Sequence, residues 1–346
     1  MSLTSEIEEY ARGLGVELFA VTSARPFVKY LEMVSELETI GNLKDVPILY
    51  RRVNESMADP RNILPDAESL IVLGVPCKLQ NPADDSSQYD GPHANLSTYW
   101  RHNRPVISGI GDQMAEYVQK RGFEVKLGDY GKPWHMPLKA AAVRAGLGHY
   151  GKNTLFYATE FGSWVALLGV LTNAKLELSE ARANDICGKC NACVEACPTG
   201  AIYEPYKVDI LKCRTYLNHP RMQDVGEVPD SLREKMGNWL CGCDICQDVC
   251  PINRKVKPRE LSTSFKVKWF DVPVPDKARL PLSELLQFLE GEVNPYFQRY
   301  AAICIGNVEG AEEALPALTR MLSSEEPLVR KYAHWAINRI KKTKQR

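Results

Sequence analysis

Nine of the chain's eleven cysteines lie between Cys187 and Cys250, and four of them are spaced CxxCxxCxxxCP in "ICGKCNACVEACPTGAI" (186–202). No other feature restricts the fold as strongly, because a short loop carrying four thiols at this spacing has to close around something. Crowded cysteines in exported chains form disulfide frameworks, whereas in cytosolic chains they are more often metal ligands. The N-terminus, Met1-Ser2-Leu3-Thr4-Ser5-Glu6, is polar and acidic, with neither a twin-arginine pair nor an apolar export core. No apolar run approaches the length of a membrane span. The expectation is a cytoplasmic protein without membrane contact, whose thiolates hold metal.

The spacing also points to which metal. In the run CxxCxxCxxxCP three cysteines bind one [4Fe–4S] cluster and the fourth ligates another. Cys187, Cys190, Cys193 and Cys197, followed by Pro198, match it, so a second run is required. "LCGCDICQDVCP" supplies Cys241, Cys243, Cys246 and Cys250 before Pro251, with Leu240 where a perfect run would place its first cysteine. Cross-ligation assigns Cys187, Cys190, Cys193 and Cys250 to the first cluster. The second takes Cys197, Cys243, Cys246 and one more, either Cys213 or Cys241. A zinc ribbon also uses paired CxxC motifs, but it needs neither the third cysteine nor the proline of each run. Cys77 and Cys304 stand in apolar surroundings and read as small core residues.

At 346 residues the chain is long for one core, so two or three domains are expected. Residues 1–180 read as an α/β domain. "SEIEEYARGLGVELFAVTSA" predicts an amphipathic helix, a stop at Gly13–Gly15 and a strand. "SLIVLGVPC" (69–77) predicts a buried strand, residues 107–123 a helix ended by Gly122, and "SWVALLGVLTN" (163–173) a strand that periodicity alone does not separate from a helix. In "RAGLGHYGKNTL" an alanine-rich helix runs into Gly146, Gly148 and Gly151, which indicates tight turns or a close approach to the backbone. This is not a dinucleotide fingerprint, since a helix precedes it; a helix C-cap and loop is the plainer reading.

Residues 181–260 hold the cluster motifs, and 261 to about 280 are proline-rich, as in a linker. Beyond them the sequence repeats with a period of 32. "NPYFQRYAAICIGNV" (294–308) aligns with "EPLVRKYAHWAINRI" (326–340), matching Tyr300 to Tyr332 and Ile305 to Ile337. Such a period marks HEAT-like helix pairs, and two units are too few to stand alone, so they are expected to pack on the rest of the protein. Lysine and arginine number 43 against 43 acidic residues, so any contact with nucleic acid needs a local patch. "NRKVKPR" (253–259) and "RIKKTKQR" at the C-terminus are such patches, or else simply solvated faces.

Taken together, these motifs resemble those of the epoxyqueuosine reductase family over almost the whole chain. The most specific stretches are "RAGLGHYGKNTL", "CGKCNACVEACPTGAIYEPYKVD", "KCRTYL" and "MGNWLCGCDICQDVCPIN". The resemblance implies an α+β multidomain protein. It would have an α/β, nitroreductase-like corrinoid-binding catalytic domain over 1–180, a ferredoxin-like domain with two [4Fe–4S] clusters over 181–260, and a linker with HEAT-like helical repeats over 261–346. It implies cobalamin as cofactor, with Tyr130, Gly146, Gly148, His149, Gly151, Lys152 and Asn153 binding it, and electrons passing from the clusters to cobalt. It also selects Cys213 as the remaining cluster ligand and leaves Cys241 as an extra thiol. The implied activity is reduction of the epoxide of epoxyqueuosine in the wobble position of tRNA.

The chain departs from the family in four ways around one site, one of them "WRHNRPVI" where the family has a "GRDYH"-like segment before the long helix. Where the family carries an aspartate as proton donor, this chain has Lys132 in "GKPWHMPL" (131–138); the family's glutamate falls on Leu138 and its tryptophan on His149. A lysine can donate a proton if burial or a neighbouring charge lowers its pKa, but it also reverses the local charge, so Lys132 is a candidate for the acid and Asp129, His135 or His149 could take that role instead. Three functions follow. The first is a tRNA-modifying reductase, monomeric and supplied by a flavodoxin- or ferredoxin-type donor. The second is a corrinoid-dependent reductase of a small molecule, as in reductive dehalogenases, and the third an electron-transfer protein that has lost cobalamin.

Overall fold

The computed structural model describes residues 1–39, 58–78, 91–98, 104–128, 136–179, 186–218, 226–258, 268–269, 272–273, 279–289 and 294–344. Helix α1 (Leu3–Gly13) begins where the Ser2 hydroxyl accepts a bond from the Ser5 N–H, and it buries Ile7 and Ala11, one turn apart. Gly15, with φ of 86°, turns the chain into strand β1 (Leu18–Ser23). In chain order there follow α2 (Val28–Thr39), β2 (Ser69–Pro76), β3 (His93–Leu96), α3 (Arg104–Gln119), β4 (Val125–Gly128), α4 (Leu138–Arg144), β5 (Gly148–Tyr150), β6 (Phe156–Ala158) and β7 (Val165–Thr172).

Strands β1, β2, β7 and β4 form a sheet in that order, and all three pairings are antiparallel. Side chains alternate across it. Ile71, Leu73, Leu168 and Val170 pack with Ile7, Met114 and Val118 of α1 and α3, whereas Leu70, Val72 and Leu171 pack with Leu138, Ala141 and Ala142 of α4. Cover on both faces explains why β2 reads as an unbroken apolar run. It also resolves 163–173: a segment that hydrogen-bonds to β2 on one side and β4 on the other is a central strand.

The cysteine-rich segment is built of single helical turns and short strands, among them β8 (Ile202–Glu204), β9 (Lys207–Val208) and β10 (Trp239–Cys241). Strand β10 runs parallel to β3, and β3 pairs antiparallel with the strand Arg279–Pro281. The irregular stretch expected up to residue 280 therefore ends in a strand, because β3 offers it an open edge. This small sheet draws one strand from each of the three sequence segments.

The predicted repeat is a pair of helices, Pro295–Gly306 and Pro327–Thr343. Each has proline in its first turn and a preceding side chain as cap: Asn294 accepts from Tyr296 N–H at 2.9 Å and Glu326 from Leu328 N–H at 3.4 Å. Phe297, Tyr300, Ile305, Val329, Tyr332 and Ile337 are buried in one core with Tyr216, Leu217, Val228, Leu232, Met236, Leu240 and Cys241 of the cysteine-rich segment. The repeats thus pack on the rest of the protein, as their number requires. The Val228 N–H donates to the Tyr332 hydroxyl at 2.7 Å across this junction. Among the described residues no helix is long and apolar enough to cross a membrane.

Candidate active site

Helix α4 ends in a Schellman turn. Leu147 N–H donates to the Ala142 carbonyl and Gly146 N–H to that of Val143, both at 3.0 Å, with Gly146 at φ of 79°. The plainer reading of Gly146, a helix C-cap, is the one its geometry fits. Arg144, the last residue of α4, fixes the helix end to the sheet. It donates to Thr22 Oγ1 at 2.9 Å and to the carbonyls of Ser23, Arg25 and Pro26, and it stacks on Phe27. Burial lowers its pKa to about 10.

Next comes the β5–β6 hairpin, which carries the HYGKN residues. Gly148 and Gly151 lie so close to Tyr157 that a Cβ at either would run into its carbonyl or its ring. The close approach expected of these glycines is thus made by the protein's own strand. His149 sits half-buried on β5 opposite Tyr157. Asp129, Tyr130, Lys132 and His135 lie outside the described residues.

Lys152 and Asn153 turn toward the cysteines. The buried Lys152 ammonium donates to the Gly188 carbonyl at 2.7 Å, the Cys190 carbonyl at 2.9 Å and Asn191 Oδ1 at 3.0 Å, so its three hydrogens all go to the loop between Cys187 and Cys193. Asn153 Nδ2 donates to the Tyr157 hydroxyl at 3.0 Å and lies 3.4 Å from the Cys246 carbonyl. Two adjacent residues therefore join the first domain to both cysteine runs. A second contact is made by Asn253, whose Oδ1 accepts from Ser163 N–H at 2.8 Å while its carbonyl accepts from Lys78 Nζ at 3.0 Å.

The cysteines fall into two neighbourhoods. Cys193, raised chiefly by burial, is raised further by Cys187 and Cys250. Cys246, pushed well up by burial, also feels Cys243 and Cys213, and Cys213 feels Cys197. One group thus contains Cys187, Cys193 and Cys250, with Cys190 on the same loop; the other contains Cys197, Cys213, Cys243 and Cys246. All are thiols on loops that draw sulfur from distant parts of the sequence, a donor set suited to two iron–sulfur clusters. Cys241 is instead buried in the core shared with the repeats, like Cys304, and Cys77 is buried beside Trp164.

Several residues here had no signal in the spacing. Arg214, buried and next to Cys213 in the sequence, has its pKa lowered by burial, a shift that Cys243, Cys197 and Cys213 oppose. Lys139 Nζ donates to the Thr154 carbonyl at 2.9 Å; burial lowers its pKa, and Cys213 opposes that shift. Tyr157 is raised by burial and by Cys250 beside it. Their positions within "KCRTYL" and "PLKAAAVRAGLGHYGKNTLFY" were the only available clue.

A helix-flanked sheet whose hairpin grips two cysteine loops, with helical repeats packed behind them, defines a multidomain iron–sulfur oxidoreductase. Comparison with known proteins agrees. Residues 186–253 match the 4Fe-4S double cluster binding domain and residues 282–346 match HEAT repeats. The epoxyqueuosine reductase of Synechocystis sp. is 34% identical over 206 residues, covering 58% of this chain and 69% of that protein. That of Bacillus subtilis is 29% identical over 98% of this chain and 88% of its own length. A crystal structure of epoxyqueuosine reductase with an epoxyqueuosine-modified tRNA stem loop aligns at a TM-score of 0.75, with 25% identity, over 98% of this chain and 90% of that one. The Streptococcus thermophilus enzyme shares the fold at a TM-score of 0.78 and 24% identity, over 99% and 91% of the two chains. The chain belongs to the epoxyqueuosine reductase family, whose cofactors are two [4Fe–4S] clusters and cobalamin.

Proposed function

We propose that this protein reduces the epoxide of epoxyqueuosine in tRNA to give queuosine, a reduction that takes up two electrons and two protons and releases the epoxide oxygen as water. The observation that carries the reading is the similarity to an epoxyqueuosine reductase over 98% of the chain, the repeat end included. When bound, cobalamin supplies a cobalt centre that is strongly nucleophilic and reducing in its lowest state, and the clusters supply single electrons. The chain's own residues hold, orient and protonate. Cys187, Cys190, Cys193 and Cys250 hold the first cluster, and Cys197, Cys213, Cys243 and Cys246 the second. The turn at Gly146 and the hairpin segment with Gly148, His149 and Gly151 would hold the corrinoid together with Tyr130, while Lys152 and Asn153 fix that hairpin to the cysteine loops. The proton comes from Lys132, His135 or Asp129. The working unit is a cytoplasmic monomer divided at about residues 180 and 260, reduced by a flavodoxin- or ferredoxin-type donor.

The test is anaerobic incubation of the cluster-reconstituted protein with cob(II)alamin, a reduced donor and an anticodon stem loop bearing epoxyqueuosine, followed by mass spectrometry of the nucleosides. Queuosine formation is expected. Saturable cobalamin binding without turnover of the stem loop would sink the tRNA reading. That result would favour reduction of a small molecule, for which the specific argument is Lys132 in place of the family aspartate, with Leu138 and His149 also changed.

A further inference from the structure

Arg214 is 8% exposed, and none of the ion pairs among the described residues gives it a carboxylate. Its Nε donates to the Lys235 carbonyl at 2.6 Å, which fixes the plane of the guanidinium. Beyond it lies Gly237, at φ of 58°, where a Cβ would stand 3.3 Å from Nη2, so a side chain there would crowd the arginine. The helical turn that Arg214 opens, Arg214–Leu217, is bonded at its end to the residue before Cys243, Asn218 Nδ2 donating to the Gly242 carbonyl and the Gly242 N–H to Asn218 Oδ1, both at 3.0 Å. Cys243, Cys197 and Cys213 lie within electrostatic reach of the guanidinium. A buried cation is strongly destabilising unless an opposite charge compensates it. Three neutral thiols do not do so; thiolates around an anionic cluster do.

We propose that Arg214 is the counter-charge of the second cluster and sets that cluster's reduction potential. The inference rests on the cluster assignment above and concerns a positioning residue, not a catalytic one. One-electron reduction adds a negative charge to the cluster. A fixed guanidinium within electrostatic reach of the cluster's cysteines stabilises the reduced form over the oxidised one, since cluster potentials follow net charge and hydrogen bonds to sulfur. Lys152 differs at the first cluster in that its three hydrogens go to two carbonyls and an amide oxygen rather than to sulfur.

The test is potentiometric titration of the reconstituted full-length protein, followed by electron paramagnetic resonance, in the wild type, Arg214→Gln and Arg214→Lys. Iron and sulfide analysis of the wild type checks the cluster assignment independently: fewer than two clusters would remove that assignment before Arg214 is in question. In Arg214→Gln the reduced-to-oxidised ratio of the second cluster is expected to fall about tenfold at a fixed potential, a shift of about 59 mV to more negative values for one electron. The first cluster should not move, and Arg214→Lys should recover most of the shift. An unchanged second-cluster potential in Arg214→Gln would overturn the proposal, as would equal shifts in the Gln and Lys variants, which would indicate a packing role only. Should Arg214→Gln fail to hold its second cluster, Arg214→Lys decides: a loaded cluster near the wild-type potential supports the proposal, and loss there too overturns it.

Discussion

Lys152 shows how one side chain can join two parts of the protein. Its ammonium crosses from the β5–β6 hairpin to the first cysteine loop and takes three oxygens there. Hydrogen bonds to a charged group contribute about 1.5–3 kcal/mol each, and they are not additive. Lys152→Met is therefore expected to destabilise the junction by roughly 3 kcal/mol and to speed the release of iron to a chelator. Iron release at the wild-type rate would show that the clamp is dispensable. The cysteines were legible in the sequence because their spacing is local and a cluster tolerates few spacings. Lys152 was legible only as part of a motif. What it touches depends on Gly188 and Cys190, more than thirty positions away, and no periodicity encodes that.

At the level of elements, the two repeat helices are joined by more than apolar packing. Arg299, nearly buried on the first, pairs at 2.5 Å with Glu326, the cap of the second. The Arg299 bond is the main reason the Glu326 carboxyl is held below its ordinary pKa. A carboxylate lowered in the folded state stabilises above its unfolded pKa, about 4.3, and that contribution is lost as pH falls through the folded value. Glu326→Gln is thus expected to cost up to about 1 kcal/mol at pH 7. Denaturation midpoints of the two proteins should converge in acid; a gap that persists below pH 3 would exclude the ion pair as its source. The helices themselves were legible because Pro295 and Pro327, their caps and the apolar spacing all repeat together. The strand Arg279–Pro281 was not, since its only stabilisation comes from the edge of β3.

For the whole molecule, the repeats complete the core of the cysteine-rich segment. Removing residues 282–346 would expose Tyr216, Leu217, Val228, Leu232, Met236 and Leu240, all buried against the repeat helices. The shortened protein is expected to be insoluble or to lack its second cluster, as judged by iron content after reconstitution. A soluble, fully loaded truncation would show that the repeats serve binding alone. The small sheet of β3, β10 and Arg279–Pro281 bears on how the protein is made. The Asn95 N–H finds the Asn238 carbonyl only after more than a hundred further residues have been synthesised, and the opposite edge of β3 waits longer still. Loop closure over such separations is slow, and unpaired strand edges stay open to aggregation in the meantime. On the ribosome, therefore, the nascent chain carries an unfinished strand until its last third emerges, and iron delivered before that point meets cysteines that have not yet been brought together.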